Sequence, residues 1–136
     1  MELQKLEESV EDLIDVPVLF DDDGESTDGF KVVGLNSSEY INAERAWRLQ
    51  NIKRAARRGR PLDTTNDRGA DELLELTNKR ETVLVKACVK QIYGFTENGK
   101  ALELSNEVLD RLFALRPNWR TKILQAIESE NVFTTP

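Results

Sequence analysis

Apolar residues recur along the chain at two different spacings, and the change between them separates a β part from a helical part. Two short runs rich in β-branched and aromatic residues, 16–20 and 30–35, flank a polar acidic segment. Runs of this kind, bounded by turn-forming residues, are typical of strands. We therefore predict a β-hairpin over 16–35 with a long acidic loop. Pro17 has no amide hydrogen, so its strand should lie at a sheet edge.

After residue 35 the apolar positions recur every three or four residues, as they do on one face of an α-helix. Asn36 precedes Glu39 by three residues, the spacing of an N-cap and its capping glutamate. A helix of good helix formers should begin there and run to about Arg58. Gly59 and Pro61 then provide the signals that end a helix.

Three further helices are predicted by the same periodicity. The second long helix should begin at about Asp67 and continue to Gly94, with a broad apolar stripe on one side. Asn98-Gly99 predicts a tight turn after it. Two shorter helices should follow, one from Ser105 and the other from Pro117 in a first-turn position.

The element order predicts one mostly helical α+β domain. A chain of 136 residues fits a single domain with a sizeable core. We assign 1–15 to an acidic N-terminal arm or short helix and 16–136 to the domain. Within the domain, the hairpin occupies 16–35 and a helical part of about four helices occupies 36–136.

Composition excludes most catalytic classes. The chain has no histidine and one cysteine, Cys88, so histidine catalysis, imidazole metal ligands, an internal disulfide and multi-cysteine zinc sites are excluded. No glycine-rich phosphate-binding motif occurs. Catalysis by a pair of carboxylates is not excluded, because 25 acidic residues cannot be searched for a pair without a fold. We predict a protein that is not an enzyme and binds no cofactor or metal, and no apolar run is long enough to span a membrane.

Charge is distributed unevenly, although the net charge is only −6. Residues 1–28 hold eleven acids and the single base Lys5, whereas 43–60 hold seven bases and the single acid Glu44. Such opposite segments attract an oppositely charged partner. They predict either salt-sensitive contacts between copies in a homo-oligomer or pairing within one chain.

The basic segment also suggests a nucleic-acid function. Arg58-Gly59-Arg60-Pro61 is similar to the core of an AT-hook, which places arginines in a narrow minor groove. A DNA-binding or regulatory protein that uses 45–60 is therefore an alternative. The acidic net charge and the role of Gly59 and Pro61 as helix-ending residues argue against it.

Two parts of the chain resemble a known protein family. Gly29–Leu35 leads through two serines, a glutamate and a tyrosine into the basic helix, and Leu109–Phe113 is followed by Arg116–Arg120. Over 29–58 and 105–133 the chain resembles the tail assembly chaperones of long-tailed bacteriophages.

The resemblance implies a fold with a β pair, two long helices and a C-terminal helical part, and it implies no catalytic residue. It also implies a function in the host cell cytoplasm. Such chaperones bind the long, helical tape measure protein and keep it soluble until the major tail tube protein polymerises around it and displaces them. Another structural phage tail or connector protein is the second alternative.

A helical client would be bound by aromatic, aliphatic and basic side chains on the helices. The candidate partner contacts are Trp47, Arg54, Arg58, Leu112, Phe113, Trp119, Ile123, Ile127 and Phe133. The competing interpretation is structural. Trp47 would pack with Tyr40 and Ala43 onto the hairpin, with the arginines solvated outside. Trp119 would fill the core behind Pro117, and the other apolar residues would close the core.

Overall fold

The computed structural model describes residues 13–59 and 65–133, with side chains through Ser129. The prediction for 1–15 lies largely outside these residues; of the three that are described, Leu13 is in no helix or strand, and Ile14 and Asp15 are in a strand. In chain order the elements are β1 (Ile14–Phe20), β2 (Ser26–Val32), α1 (Ser38–Arg58), α2 (Asp67–Cys88), β3 (Val89–Tyr93), β4 (Thr96–Glu97), β5 (Lys100–Ala101), α3 (Asn106–Leu115) and α4 (Pro117–Phe133). The predicted class, mostly helical α+β with an N-terminal hairpin and four helices, is confirmed.

The main sheet has three antiparallel strands in the order β1-β2-β3. β1 lies at an edge, as Pro17 predicted. The prediction that the second long helix continues to Gly94 is wrong, because the chain becomes extended at Val89 and pairs with β2, where Ile92 lies opposite Phe30. The strand forms because β2 offers a free edge whose backbone groups need hydrogen-bond partners.

The β1–β2 turn is tighter than the predicted long loop. β2 already begins at Ser26, and the turn is closed by the Asp21 carboxylate, which accepts the backbone N–H groups of Asp23 and Glu25 at 2.9 Å each. Gly24 has a φ of +82°, a conformation that favours glycine. The acidic residues therefore form a compact, rigid turn.

Short-range signals account for the helix ends. α1 is capped by Ser37, one residue after the predicted Asn36, and its hydroxyl accepts the N–H of Tyr40 at 3.1 Å. Asn66 caps α2 in the same way. Gly59 ends α1 in the left-handed conformation, as predicted, whereas Pro61 lies outside the described residues.

The core lies between the inner face of the sheet, the second half of α2 and the two C-terminal helices. Phe30 is fully buried at its centre, with ring centroids 5.4 Å from Phe95, 5.8 Å from Phe113 and 6.2 Å from Trp119. Aliphatic side chains fill the space around these rings. They include Val32, Leu84, Val85, Leu109, Ile123 and Ile127.

Two helix segments lie outside this core and form a helical hairpin, which we call the arm: 47–58 of α1 and 67–80 of α2. Of the α1 side chains, only Tyr40 is buried in the core and Ala43 packs against it; both precede the arm. The core residues of α2 begin at Leu84. Because 59–66 join the two segments, α1 and α2 pack against each other as antiparallel neighbours.

Candidate functional site

The arm contains an open cleft along the seam between its two helices. Its volume is about 220 Å³. The cleft is lined by Trp47, Asn51, Arg54, Ala55 and Arg58 of α1 and by Leu73, Leu76, Thr77 and Arg80 of α2. On each helix these positions recur every three or four residues, so each set lies on one face. We call this lined surface the seam.

Trp47 forms the inner wall of the seam and orients its neighbours. Its side chain is buried outside the main core, and the Arg54 guanidinium carbon lies 6.0 Å from the centroid of its ring. Arg54 also donates a hydrogen bond to Asn51 Oδ1 at 3.3 Å. A cation over an indole ring contributes about 0.5–1 kcal/mol at an exposed site. The arginine is therefore held at the rim of the seam by two weak contacts.

The other wall of the seam is apolar and accessible. Leu73 is 46% exposed, Leu76 is half-buried beside it, and Arg80 lies at the inner end. The next residue, Leu74, is 61% exposed but points away from the cleft. An exposed leucine beside an apolar cleft is a feature of binding surfaces, because the apolar area of both stays in contact with water until a partner covers it.

The volume of the seam limits what it can hold. Small-molecule pockets have volumes of roughly 300–1,000 Å³ and bury most of their ligand. A cleft of about 220 Å³ that is open to solvent is below that range. It suits one anchoring aliphatic or aromatic side chain from a larger partner, with Arg54 and Arg58 positioned to meet acids beside that anchor. Arg80 already lies 3.9 Å from both Glu44 and Glu128.

The structure brings together three of the predicted partner contacts, Trp47, Arg54 and Arg58, in the seam. It places the apolar candidates of the C-terminal helices elsewhere. Phe113, Ile123 and Ile127 are buried in the core, and Trp119 packs its ring 5.7 Å from that of Phe95. These four agree with the structural interpretation, because the first three side chains are buried and that of Trp119 is partly buried against the core. Phe133 ends α4, and its side chain lies outside those described.

Leu112 lies at a second cleft, between the small β4–β5 hairpin and α3. The volume of this cleft is about 310 Å³, and the exposed Leu115 stands at its edge. An ion pair of 2.9 Å between Arg111 and Glu97 crosses its rim. Both charged groups are thereby satisfied, so this cleft shows no free charge to select a partner.

Leu73 and Leu76 were not predicted as contacts, because the apolar stripe of α2 appeared to be continuous core. A signal was nevertheless present in the sequence. The spacing of Leu73, Leu76 and Arg80 matches that of Trp47, Asn51 and Arg54 on the antiparallel neighbour, so the two sets could have been paired as one seam.

The described residues show little reactive chemistry. They contain no group of three or more acidic, histidine or cysteine side chains that could hold a metal ion. Burial raises the pKa of the Cys88 thiol to about 12, so its nucleophilic thiolate is scarce near neutral pH. None of the helices within 13–59 and 65–133 has the length and apolarity that a membrane crossing requires.

No protein-family model, curated protein or solved structure matches this chain. The seam, with an accessible leucine, a tryptophan wall and an arginine rim, can accept an apolar side chain that has acidic neighbours.

Proposed function

We propose that this protein is a phage tail assembly chaperone that binds the tape measure protein in the host cell cytoplasm and keeps it soluble. The resemblance over 29–58 and 105–133 supports the family. The observation that carries the proposal is the seam, because it exposes Leu73 beside an apolar cleft on a helical hairpin that the core does not cover.

A helical client fits the shape of the seam. An amphipathic helix presents apolar residues at every third or fourth position, and such a helix aggregates unless its stripe is covered. Laid along the groove between α1 and α2, it would complete a three-helix arrangement and insert one anchoring side chain beside Trp47. Helix-in-groove binding depends on apolar burial and tolerates many client sequences. A long client could thus be bound at several places along its length.

Charge adds a preference for certain client segments. Arg54 and Arg58 stand at the rim of the seam and form no ion pair with any described residue. A client helix with glutamates or aspartates beside its apolar stripe would pair with them. We therefore expect acidic amphipathic segments to be preferred over basic ones, with a preference that weakens as salt screens the charges.

Co-expression with the tape measure protein of the same phage tests the proposal, with the soluble fraction of that protein as the readout. Wild type should raise its soluble yield and co-purify with it. Leu73→Glu should lose most of this effect, because a carboxylate in the apolar cleft would have to be desolvated. Leu74→Glu is the matched control, since it makes the same change one residue away and outside the cleft.

Two results would overturn the proposal. The first is a wild-type chain that neither co-purifies with the tape measure protein nor increases its soluble yield. The second is equal behaviour of the two glutamate variants, which would place binding elsewhere. Far-ultraviolet circular dichroism of both variants confirms that the helices are intact.

A nucleic-acid function is the second candidate, and one observation favours it. A third cleft, of about 310 Å³, is lined by Gln50, Lys53, Arg54 and Arg57. The net charge of −6 opposes a polyanion, and one short basic stretch neutralises few phosphates. We expect no specific DNA binding at physiological salt in an anisotropy titration. Submicromolar affinity for A·T-rich duplex that is lost in Arg58→Ala/Arg60→Ala would reverse this ranking.

A further inference from the structure

A second face of α1 is apolar and basic and is separate from the seam. Ile41, Arg45, Arg48, Leu49 and Ile52 follow one another at spacings of four, three, one and three residues, which places them on one side of the helix. The three aliphatic side chains are each more than half exposed, and Ile52 reaches 60%. We call this surface the outer face. At about 100° per residue, the centre of the outer face lies roughly a third of a turn from the centre of the α1 residues that line the seam.

The tip of the β1–β2 hairpin is also partly apolar but carries the opposite charge. Leu19 and Phe20 are exposed at the end of β1, Phe20 to 52%. Asp22, Asp23 and Glu25 follow in the exposed turn. The turn is held by the two backbone hydrogen bonds to the Asp21 carboxylate. Two apolar side chains and three carboxylates therefore form a preorganised acidic tip, beside which the Lys122 ammonium lies 5.7 Å from the Phe20 ring centroid.

These two surfaces do not neutralise each other within one molecule. Arg45 and the three tip carboxylates form no ion pair with any described residue, and Arg48 pairs only with Glu44 of its own helix at 3.1 Å. β2 runs from the tip to the end of the sheet where α1 begins, so seven strand residues, about 20 Å, separate the tip from the start of α1.

We infer that the outer face of one copy binds the acidic tip of a second copy. Leu19 and Phe20 would cover Leu49 and Ile52, while the tip carboxylates would face Arg45 and Arg48. Because the two surfaces differ, the contact is head-to-tail, so each copy keeps one free surface and can extend the assembly into a ring or a filament. The contact uses none of the residues that line the seam, so the inference does not depend on what the seam binds.

Light scattering of the purified chain tests the contact, using two variants that each block one surface. Asp22→Lys/Asp23→Lys cancels the net negative charge of the turn, and Leu49→Ser/Ile52→Ser removes two of the three exposed aliphatic side chains of the outer face. Wild type should form species larger than a monomer at about 0.05 M salt that dissociate at about 0.5 M, where the screening length falls to a few ångströms. Each variant alone should be monomeric.

An equimolar mixture of the two variants is the decisive sample. The intact outer face of the first variant can bind the intact tip of the second, and no further copy can add, so the mixture should contain a 1:1 dimer. Asp71→Lys/Glu72→Lys is the matched control, because it makes the same change in net charge on α2 and should associate as wild type does. Monomeric wild type at low salt and high concentration would overturn the inference, and so would a mixture that stays monomeric.

Discussion

The two halves of α2 show how one helix serves two purposes. Its second half buries Leu84, Val85 and Cys88 completely against the sheet and the C-terminal helices. Its first half has leucines of the same kind, but Leu73 is 46% exposed, Leu74 is 61% exposed, and both lie outside the core cluster. The difference lies in what surrounds each half and not in the type of residue. Stability therefore resides in the core, whereas the arm keeps apolar surface available for binding.

The largest expected difference between core and arm concerns truncation to alanine. Phe30→Ala should lower the free energy of unfolding by about 3–5 kcal/mol, because it leaves a cavity among three aromatic rings. Ile52→Ala on the arm should change it by less than about 0.5 kcal/mol, since that side chain is already exposed. Urea denaturation measures both. Similar losses for the two variants would contradict the division of the molecule into core and arm.

Two glycines allow a second comparison, in which the expected losses of stability are smaller. Gly94 and Gly59 both have positive φ, +87° and +74°. A methyl group at Gly94 would collide with the backbone carbonyl of Thr27, whereas at Gly59 it would enter open space. We expect Gly94→Ala to cost about 2–3 kcal/mol, from strain and displaced backbone. Gly59→Ala should cost about 1 kcal/mol, from strain alone. Equal melting temperatures for the two variants would count against this packing around Gly94.

A further difference is a pH dependence that belongs to the core. The folded-state pKa of Cys88 is raised to about 12 by burial, above an unfolded value of about 8.5. Between these values the unfolded chain loses the thiol proton and the folded chain keeps it, so stability falls as pH rises. The slope contributed by this group should approach about 1.4 kcal/mol per pH unit above pH 9.

Comparison with Cys88→Ala isolates this contribution, because the variant should lose stability less steeply between about pH 8 and pH 10. Chemical denaturation at several pH values provides the slopes. Parallel slopes for the two proteins would show that the thiol is not protected in the core.

Local signals predicted the parts of the fold that depend on neighbouring residues. The Asn98-Gly99 turn has positive φ at both positions, 54° and 79°, as a two-residue hairpin turn requires. Gly59 ends α1 for a similar reason. Strand β3 escaped prediction because its pairing partner, β2, lies about sixty residues earlier in the chain, and periodicity carries no information about such a neighbour.

The candidate site was predicted in part. Trp47, Arg54 and Arg58 share one helix face, so their proximity follows from the sequence alone. The apolar stripe of α2 alone did not separate Leu73, their partner across the seam, from core leucines such as Leu84, because both lie on that stripe. Only the tertiary packing shows that the part of the stripe within the arm lies outside the core.

Hydrogen exchange of the complex with the tape measure protein tests the central claim most directly. If the client lies in the seam, backbone amides of 47–58 and 67–80 should exchange more slowly in the complex than in the free protein. Amides of the core strands and of α4 should be unchanged, since they are already protected. Slower exchange confined to α3 and α4, with an unchanged arm, would contradict the account and move the binding surface to the C-terminal helices.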